Sequence, residues 1–528
     1  MPDGAVTGRS VPNHLRSALE KGEFVHTAEL VLGRDHTAAE AEEFVRDASA
    51  TPEGIKIISL TDSPGGNPAL PPEAFISHVL QHELTPIAHL SGKDGNRSLL
   101  EARLHALARR GTENVLALTG DAHKLNAARA PKPVHDLDSA LILRLIGSLR
   151  NGLGYKLGDK LKHTTPFDFF AGAVVNPYKL REPDLMMQLY KLQLKVAAGA
   201  QFIIPQLGFD LRKLYELKQY MEREGLGHVP VFANIYVPTA RIARMMQSGE
   251  IAGCVVPDEL VRCLEREDKA QRLERASLML SAARDLGFAG AHLGGFNLSH
   301  REMMKILERA SAIGGCWRSR IEELVHPYPA QFHLLPPTPN GLSDGGANYQ
   351  IGSTKQNPSL TQWLSSFVHH HLICENSSVG HFWANRLKAQ VVHDIPKDNL
   401  FSRVLGISAL YRKATLGCVG CGDCVQDHLN YVGCSMRWCY KELRNGPCGG
   451  SRTDGTCEAR PEQPCIWNLI YSGTLAMGDD PRKFGEVLIP PRDWKLDRTN
   501  ALVNRFAGVD NFDQRLRLNV VKKDKEPC

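Results

Sequence analysis

Phe24-Val25-His26-Thr27-Ala28-Glu29-Leu30-Val31 is the stretch that decides the fold. It is apolar and β-branched enough for one strand, yet it carries a carboxylate that must be buried or lie in a cleft. Amphipathic periodicity follows at residues 38–48, and the pairing then repeats. Short apolar runs recur at residues 55–61, 85–90, 114–119, 169–175, 201–205, 229–235 and 289–293. Helical periodicity occupies residues 97–110, 184–198, 211–223, 272–286 and 299–312. Eight strands alternating with helices predict an α/β fold, a (β/α)8 TIM barrel. A doubly wound open sheet is the structural alternative. The barrel is expected over residues 14–335, after a loose polar start, with a Pro- and Gly-rich linker at 336–358. A cysteine-rich domain with a surface-running charged tail then fills residues 359–528.

Eight of the thirteen cysteines crowd into that last domain: Cys418, Cys421, Cys424, Cys434, Cys439, Cys448, Cys457 and Cys465. Structural cysteines scatter, so this density points to disulfides, zinc or iron–sulfur ligation. Disulfides suit small secreted domains, and Met1 to Lys21 lacks the apolar core of a signal peptide. Zinc favours two C-x2-C pairs. The run Cys418, Cys421, Cys424 instead suits three irons of a cubane, with a remote thiol closing the fourth corner. Eight thiols suffice for one or two [4Fe-4S] clusters, with zinc the alternative. Cys254, Cys263, Cys316, Cys374 and Cys528 read as packing or surface thiols, and His369-His370-His371 as surface or packing residues whose rings diverge on a helix.

A net charge of +5 is the small difference between 63 basic and 58 acidic residues, which argues against a dedicated nucleic-acid binder. No apolar run is long enough to span a bilayer, and the cysteine usage suits a reducing cytoplasm. No G-x-G-x-x-G or P-loop follows a strand, so Gly65-Gly66-Asn67 and Gly294-Gly295-Phe296 read as loop glycines.

Active sites of this fold sit at the carboxyl ends of the strands. Those ends present Glu29, Thr61 with Asp62, His89, Thr119-Gly120-Asp121 and Gln206. Asp62 and Asp121 could each cap the helix that follows.

In these residues the barrel resembles the methylenetetrahydrofolate reductase family, whose catalytic unit is a flavin-bearing barrel. The matching pieces are Thr27-Ala28-Glu29, Ser59-Leu60-Thr61-Asp62-Ser63-Pro64-Gly65-Gly66-Asn67-Pro68, Pro86-Ile87-Ala88-His89-Leu90, Leu116-Ala117-Leu118-Thr119-Gly120-Asp121, and Lys195-Val196-Ala197-Ala198-Gly199-Ala200 running into Gln206. The cysteine segment, through Lys441-Glu442-Leu443-Arg444-Asn445-Gly446-Pro447-Cys448-Gly449-Gly450, resembles the cysteine-rich module of acetogen-type reductases.

The resemblance implies a flavin (FAD or FMN) and interconversion of 5,10-methylenetetrahydrofolate and 5-methyltetrahydrofolate. It makes Glu29 the general acid, with a pKa raised toward neutrality by an apolar cleft, and Asp121 the charge that stabilises an iminium cation. Gln206, with Glu29 and Asp121, would bind the folate. Thr61, His89, Thr119, Gly120, Asp121, Ala173, Asn176 and Lys195 would hold the flavin, Lys195 at its phosphate. Asn176 stands where better-known reductases carry a histidine, and their folate-tail arginine has no clear counterpart. The clusters would exchange electrons with a ferredoxin-like one-electron carrier, and self-association stays open. A corrinoid-linked methyltransferase, or a non-catalytic barrel with structural zinc, are the competing readings.

Overall fold

The structure is a computed structural model, and it describes residues 12–123, 131–251, 253–352, 357–373, 377, 381 and 400–518. Eight parallel strands form one sheet: Val25–Leu30, Ile57–Leu60, Thr85–Ser91, Asn114–Leu118, Phe170–Val175, Phe202–Pro205, Phe232–Val237 and Gly290–Gly295. Numbered in chain order, they run 6-5-4-3-2-1-8-7 across the sheet. A parallel bridge from Ile203 to Val231 joins strands 6 and 7, and Ile203 N donates to Pro230 O at 2.8 Å. The barrel therefore closes, which excludes the open sheet.

The period-two alternation of the strands sorts their side chains into two cores. Ala28, Ile58, Ala88, Ala117 and Ala173 face outward beneath the helices. Val25, Ile57, Ile87, Leu116, Phe170, Phe202 and Phe232 fill the amino-terminal half of the interior, and Leu15 plugs its floor. Leu15 belongs to the short helix His14–Glu20, capped by Asn13. With the floor apolar, the inward polar residues of the same strands are left to the carboxyl-terminal mouth.

Two expectations about the chain beyond the barrel are corrected. The Pro- and Gly-rich passage does not stand clear of the barrel: within it Leu342 and Ser343 are buried. Glu216, on helix Leu211–Arg223, accepts hydrogen bonds from Leu335 N (2.8 Å) and Ser343 Oγ (3.3 Å). Nor does the tail merely run over the surface. Asn511 donates to Asp423 Oδ1 (2.5 Å) and Cys424 O (3.0 Å), and Asn504 donates to Gly422 O (2.8 Å), so the tail clamps the first cysteines.

The cysteine module docks on helix Glu182–Ala197, where Ile466–Ala476 and Lys483–Glu486 lie against it. Fourteen of that helix's sixteen residues are buried, polar ones included, and several of the polar ones find partners across the interface. Tyr471 OH donates to Glu182 (2.8 Å) and Asn468 Nδ2 to Asp184 (2.8 Å). Among the described residues no helix is long and apolar enough to cross a membrane. The three consecutive histidines begin a π turn, His369–Ile373, and His370 Nδ1 lies 2.8 Å from Ser366 O. Cys374 and Cys528 lie outside the described residues.

Candidate functional site

Glu29 ends strand 1 with its carboxylate turned into the mouth, 3.3 Å from His292 Nε2 on strand 8. The other ring nitrogen of His292 lies 2.7 Å from Thr27 Oγ1, so the imidazole is held at both ends. The expected raised pKa is not found. Burial pushes Glu29 up, but the hydrogen bond and charge of His292, with the charge of His89, outweigh it and lower the pKa below 4.5. Sequence reasoning missed His292 because Gly294 and Gly295 passed for loop glycines, whereas they continue strand 8. Gly294 lies beside Glu29 and Tyr236, which a Cβ there would meet at 3.4–3.7 Å.

His89 is fully enclosed, with Nε2 2.8 Å from Ser59 Oγ, and burial pushes it down to about 4, leaving a neutral imidazole. Thr61 Oγ1 donates to Leu30 O (3.4 Å) and accepts from Leu32 N (3.3 Å), tying strands 1 and 2 together as they leave the barrel. Asp62 is a structural group: it accepts from Ser91 N and from Arg103, each at 2.9 Å.

Asp121 Oδ2 accepts from Gly65 N at 3.0 Å, so Gly65 serves the site rather than an idle loop. Burial and the nearby Glu458 raise the Asp121 pKa, opposed by Lys441, the Gly65 hydrogen bond and Lys93. Gly120 before it has φ +88°, and a Cβ there would meet Ser91 Oγ at 2.1 Å. Only glycine makes this corner.

The remaining residues divide. Gln206 reaches the mouth beside Gly253, and its Oε1 accepts from Leu207 N (3.1 Å). Asn176 Nδ2 donates to Gly253 O (2.8 Å) and, in the cysteine module, to Gly449 O (3.5 Å). Thr119 Oγ1 instead accepts from Ser139 N (3.4 Å), at the start of helix Ser139–Leu149, and Ala173 faces the outer core. Lys195 is buried with Nζ 2.5 Å from Val174 O. Desolvation, then Lys191, lower it to about 7, against Asp138 and Cys448. It thus lies toward the second group of cysteines.

The eight thiols form two quartets. Cys418, Cys421, Cys424 and Cys434 line one cavity, and Gly420 N donates to Cys418 Sγ at 3.4 Å. Burial, then the other three thiols, push Cys434 up to about 12. Cys439, Cys448, Cys457 and Cys465 gather against the barrel: burial, then Cys448, push Cys439 up to about 12, with Cys457 adding to the effect. Burial, then Cys448 and Cys439, also raise Cys465. Gly450 N donates to Cys448 Sγ at 3.3 Å. None of the described cysteines forms a disulfide. Among the described residues no three His, Cys, Asp or Glu side chains are gathered to hold a single metal ion. Four thiols with backbone N–H donors are nonetheless the donor set that an iron–sulfur cluster or an all-thiolate zinc site takes.

The second quartet and the mouth meet at one ion pair. Lys441 Nζ donates to Glu458 Oε1 (2.5 Å) and to Gly120 O (2.8 Å), and Cys448 Sγ lies 3.8 Å from the same Glu458 oxygen. Neither Lys441 nor Glu458 was legible as a site residue, since each lies more than 300 residues from the corner it serves.

Comparison with known proteins agrees with this geometry. A search of curated proteins finds no match. Among solved structures, an uncharacterized protein from Clostridium thermocellum that binds two copies of 5-methyl-5,6,7,8-tetrahydrofolic acid is 12% identical, covering 57% of this chain and 98% of that one, with TM-score 0.41. A long-chain alkane monooxygenase is 9% identical, covering 58% and 99%, with TM-score 0.35. Likenesses this distant carry no argument. The family models do: methylenetetrahydrofolate reductase matches residues 14–311, and methylene-tetrahydrofolate reductase C terminal matches residues 399–495. The first match spans the closed barrel with its mouth and the second spans both thiol quartets, so the chain belongs to the methylenetetrahydrofolate reductase family and is an oxidoreductase of that type.

Proposed function

We propose that this chain interconverts 5,10-methylenetetrahydrofolate and 5-methyltetrahydrofolate on a flavin, and exchanges the electrons singly through iron–sulfur centres held by its two thiol quartets. One observation carries the reading: the second quartet is built against the mouth that holds Glu29, His89 and Asp121, joined to it through Glu458 and Lys441. A bound flavin supplies hydride transfer to or from the one-carbon unit, and iron–sulfur centres supply one-electron steps.

The chain's own residues supply the rest. Glu29 Oε2 faces His292 Nε2 at 3.3 Å, and this pair, rather than a lone protonated carboxyl, moves the proton at the folate ring nitrogen as its C–N bond opens or closes. The Asp121 carboxylate favours the cationic iminium form of the folate. Neutral His89 offers a hydrogen-bonding group to the flavin without adding charge, and Gln206 is placed to bind the pterin. The same residues serve either direction, toward methyl supply or toward oxidation of methyl-folate, with a ferredoxin-like carrier at the first quartet.

The test is metal, sulfide and flavin analysis on protein purified without oxygen, followed by addition of 5-methyltetrahydrofolate. Bound flavin that bleaches on addition, with iron and sulfide present, supports the reading. Folded protein repeatedly lacking flavin overturns it, and yellow protein with zinc removes the one-electron relay alone. Offering NADH and a reduced ferredoxin-type donor separately identifies the electron partner.

A further inference from the structure

We infer that Lys441 is a positioning residue for the barrel's folate chemistry: it reaches from the cysteine module into the mouth and fixes the Gly120–Asp121 corner against Glu458. The inference rests on the function proposed above and assigns the cysteine module a second task.

The geometry leaves Lys441 little freedom. It is 3% exposed, and its ammonium is spent on Gly120 O and Glu458 Oε1. Gly120 sits in a tight corner: φ is +88°, and a Cβ there would meet Ser91 Oγ at 2.1 Å and Lys93 Cβ at 2.8 Å. The Glu458 carboxyl packs closely against Gly450, where a Cβ would come within 2.1 Å of it. Lys441 is therefore the cation paired with Glu458 and placed to offset the repulsion between Glu458 and the partly buried Asp121. In a low-dielectric cleft two such anions repel strongly unless a cation stands between them. Loss of that cation would turn Asp121 away from its Gly65 hydrogen bond, and small misplacements at a reacting centre are costly. Docking of the module does not hang on Lys441. Tyr471 to Glu182, Asn468 to Asp184, and Lys179 to Ser451 O (2.6 Å) hold the interface elsewhere.

The experiment uses the full chain, prepared without oxygen, as Lys441→Met, Lys441→Arg and the double variant Lys441→Met with Glu458→Gln. Iron, sulfide, flavin content and thermal midpoint are measured beside oxidation of 5-methyltetrahydrofolate with a dye acceptor. The expected result for Lys441→Met is unchanged cofactor content and KM within about threefold, but kcat lower by about tenfold or more. Lys441→Arg should recover most of that loss, and so should the double variant, which removes the unpaired carboxylate together with the cation. Parental kcat in Lys441→Met would overturn the inference. So would a loss of kcat that tracks loss of iron, flavin or thermal midpoint, because Lys441 would then be a fold contact alone. A parent protein that carries flavin but leaves 5-methyltetrahydrofolate unoxidised would overturn the proposed function, and this inference with it.

Discussion

Glu29 is an acid that its neighbours hold as an anion, and its chemistry therefore belongs to a pair. Because His292 lowers its pKa below 4.5 against the opposing push of burial, the carboxylate and its pairing persist above that point and are lost only as pH falls through the lowered value. His292→Asn removes the largest influence opposing desolvation and leaves only the weaker one of His89, so the Glu29 pKa should rise. The acid limb of the kcat/KM profile should move to higher pH, and a limb that stays put would separate the two residues. Glu29→Gln should retain flavin and lose about a hundredfold or more in folate turnover; unchanged turnover would remove Glu29 from the proton step. Glu29 was legible because a carboxylate interrupts an apolar run. His292 was not, since the glycines that follow it mimic a turn. Gly120→Ala, at φ +88° with a contact of 2.1 Å, should cost about 2–4 kcal/mol by chemical denaturation.

Helix Glu182–Ala197 shows the same divide among elements. Its periodicity placed it almost to the residue, but nothing in that pattern says that its polar positions are buried too. They are buried because Ile466–Ala476 and Lys483–Glu486 cover them. Such an interface joins segments far apart in the chain, and no local pattern announces it. Helix Ser139–Leu149 was not among the helical stretches read from the sequence; it is strongly apolar, with seven of its eleven residues buried. Tyr471→Phe should cost about 1–3 kcal/mol in urea unfolding, because it strips a donor from the buried Glu182 carboxylate. Truncation after residue 335 should uncover the whole helix and drive the barrel to associate, which light scattering would detect; a monodisperse barrel would show that the module is not its cover.

The whole molecule stores neutral imidazoles, and that sets its response to acid. Burial pushes His89 down to about 4, and His135 and His428 to about 3, from an ordinary 6.5. Between those lowered values and 6.5 the unfolded chain binds protons that the folded chain refuses, so stability falls as pH falls through that window. Each such histidine contributes a slope of about 1.4 kcal/mol per pH unit there. Carboxylates held down by a partner, as Asp136 is, do not blur the window, while those that burial raises, such as Asp121 and Asp210, work against the histidine slope above 3.8. Burial pushes Asp136 up, but its bonds to Arg97 outweigh that and hold it at about 2, so its contribution is lost only below 3.8. Denaturant midpoints should therefore drop steeply below pH 6.5, while above about pH 7 the lowered Lys195 adds stability as pH rises. His428 lies apart from the folate mouth, between Lys483, Arg515 and Asp427 and edge-on to Phe484, so it isolates the effect. His428→Gln should flatten the slope by about one proton's worth while leaving folate turnover at neutral pH in place. An unchanged slope in that variant would mean that the acid sensitivity comes from elsewhere, and the buried-imidazole account would fail.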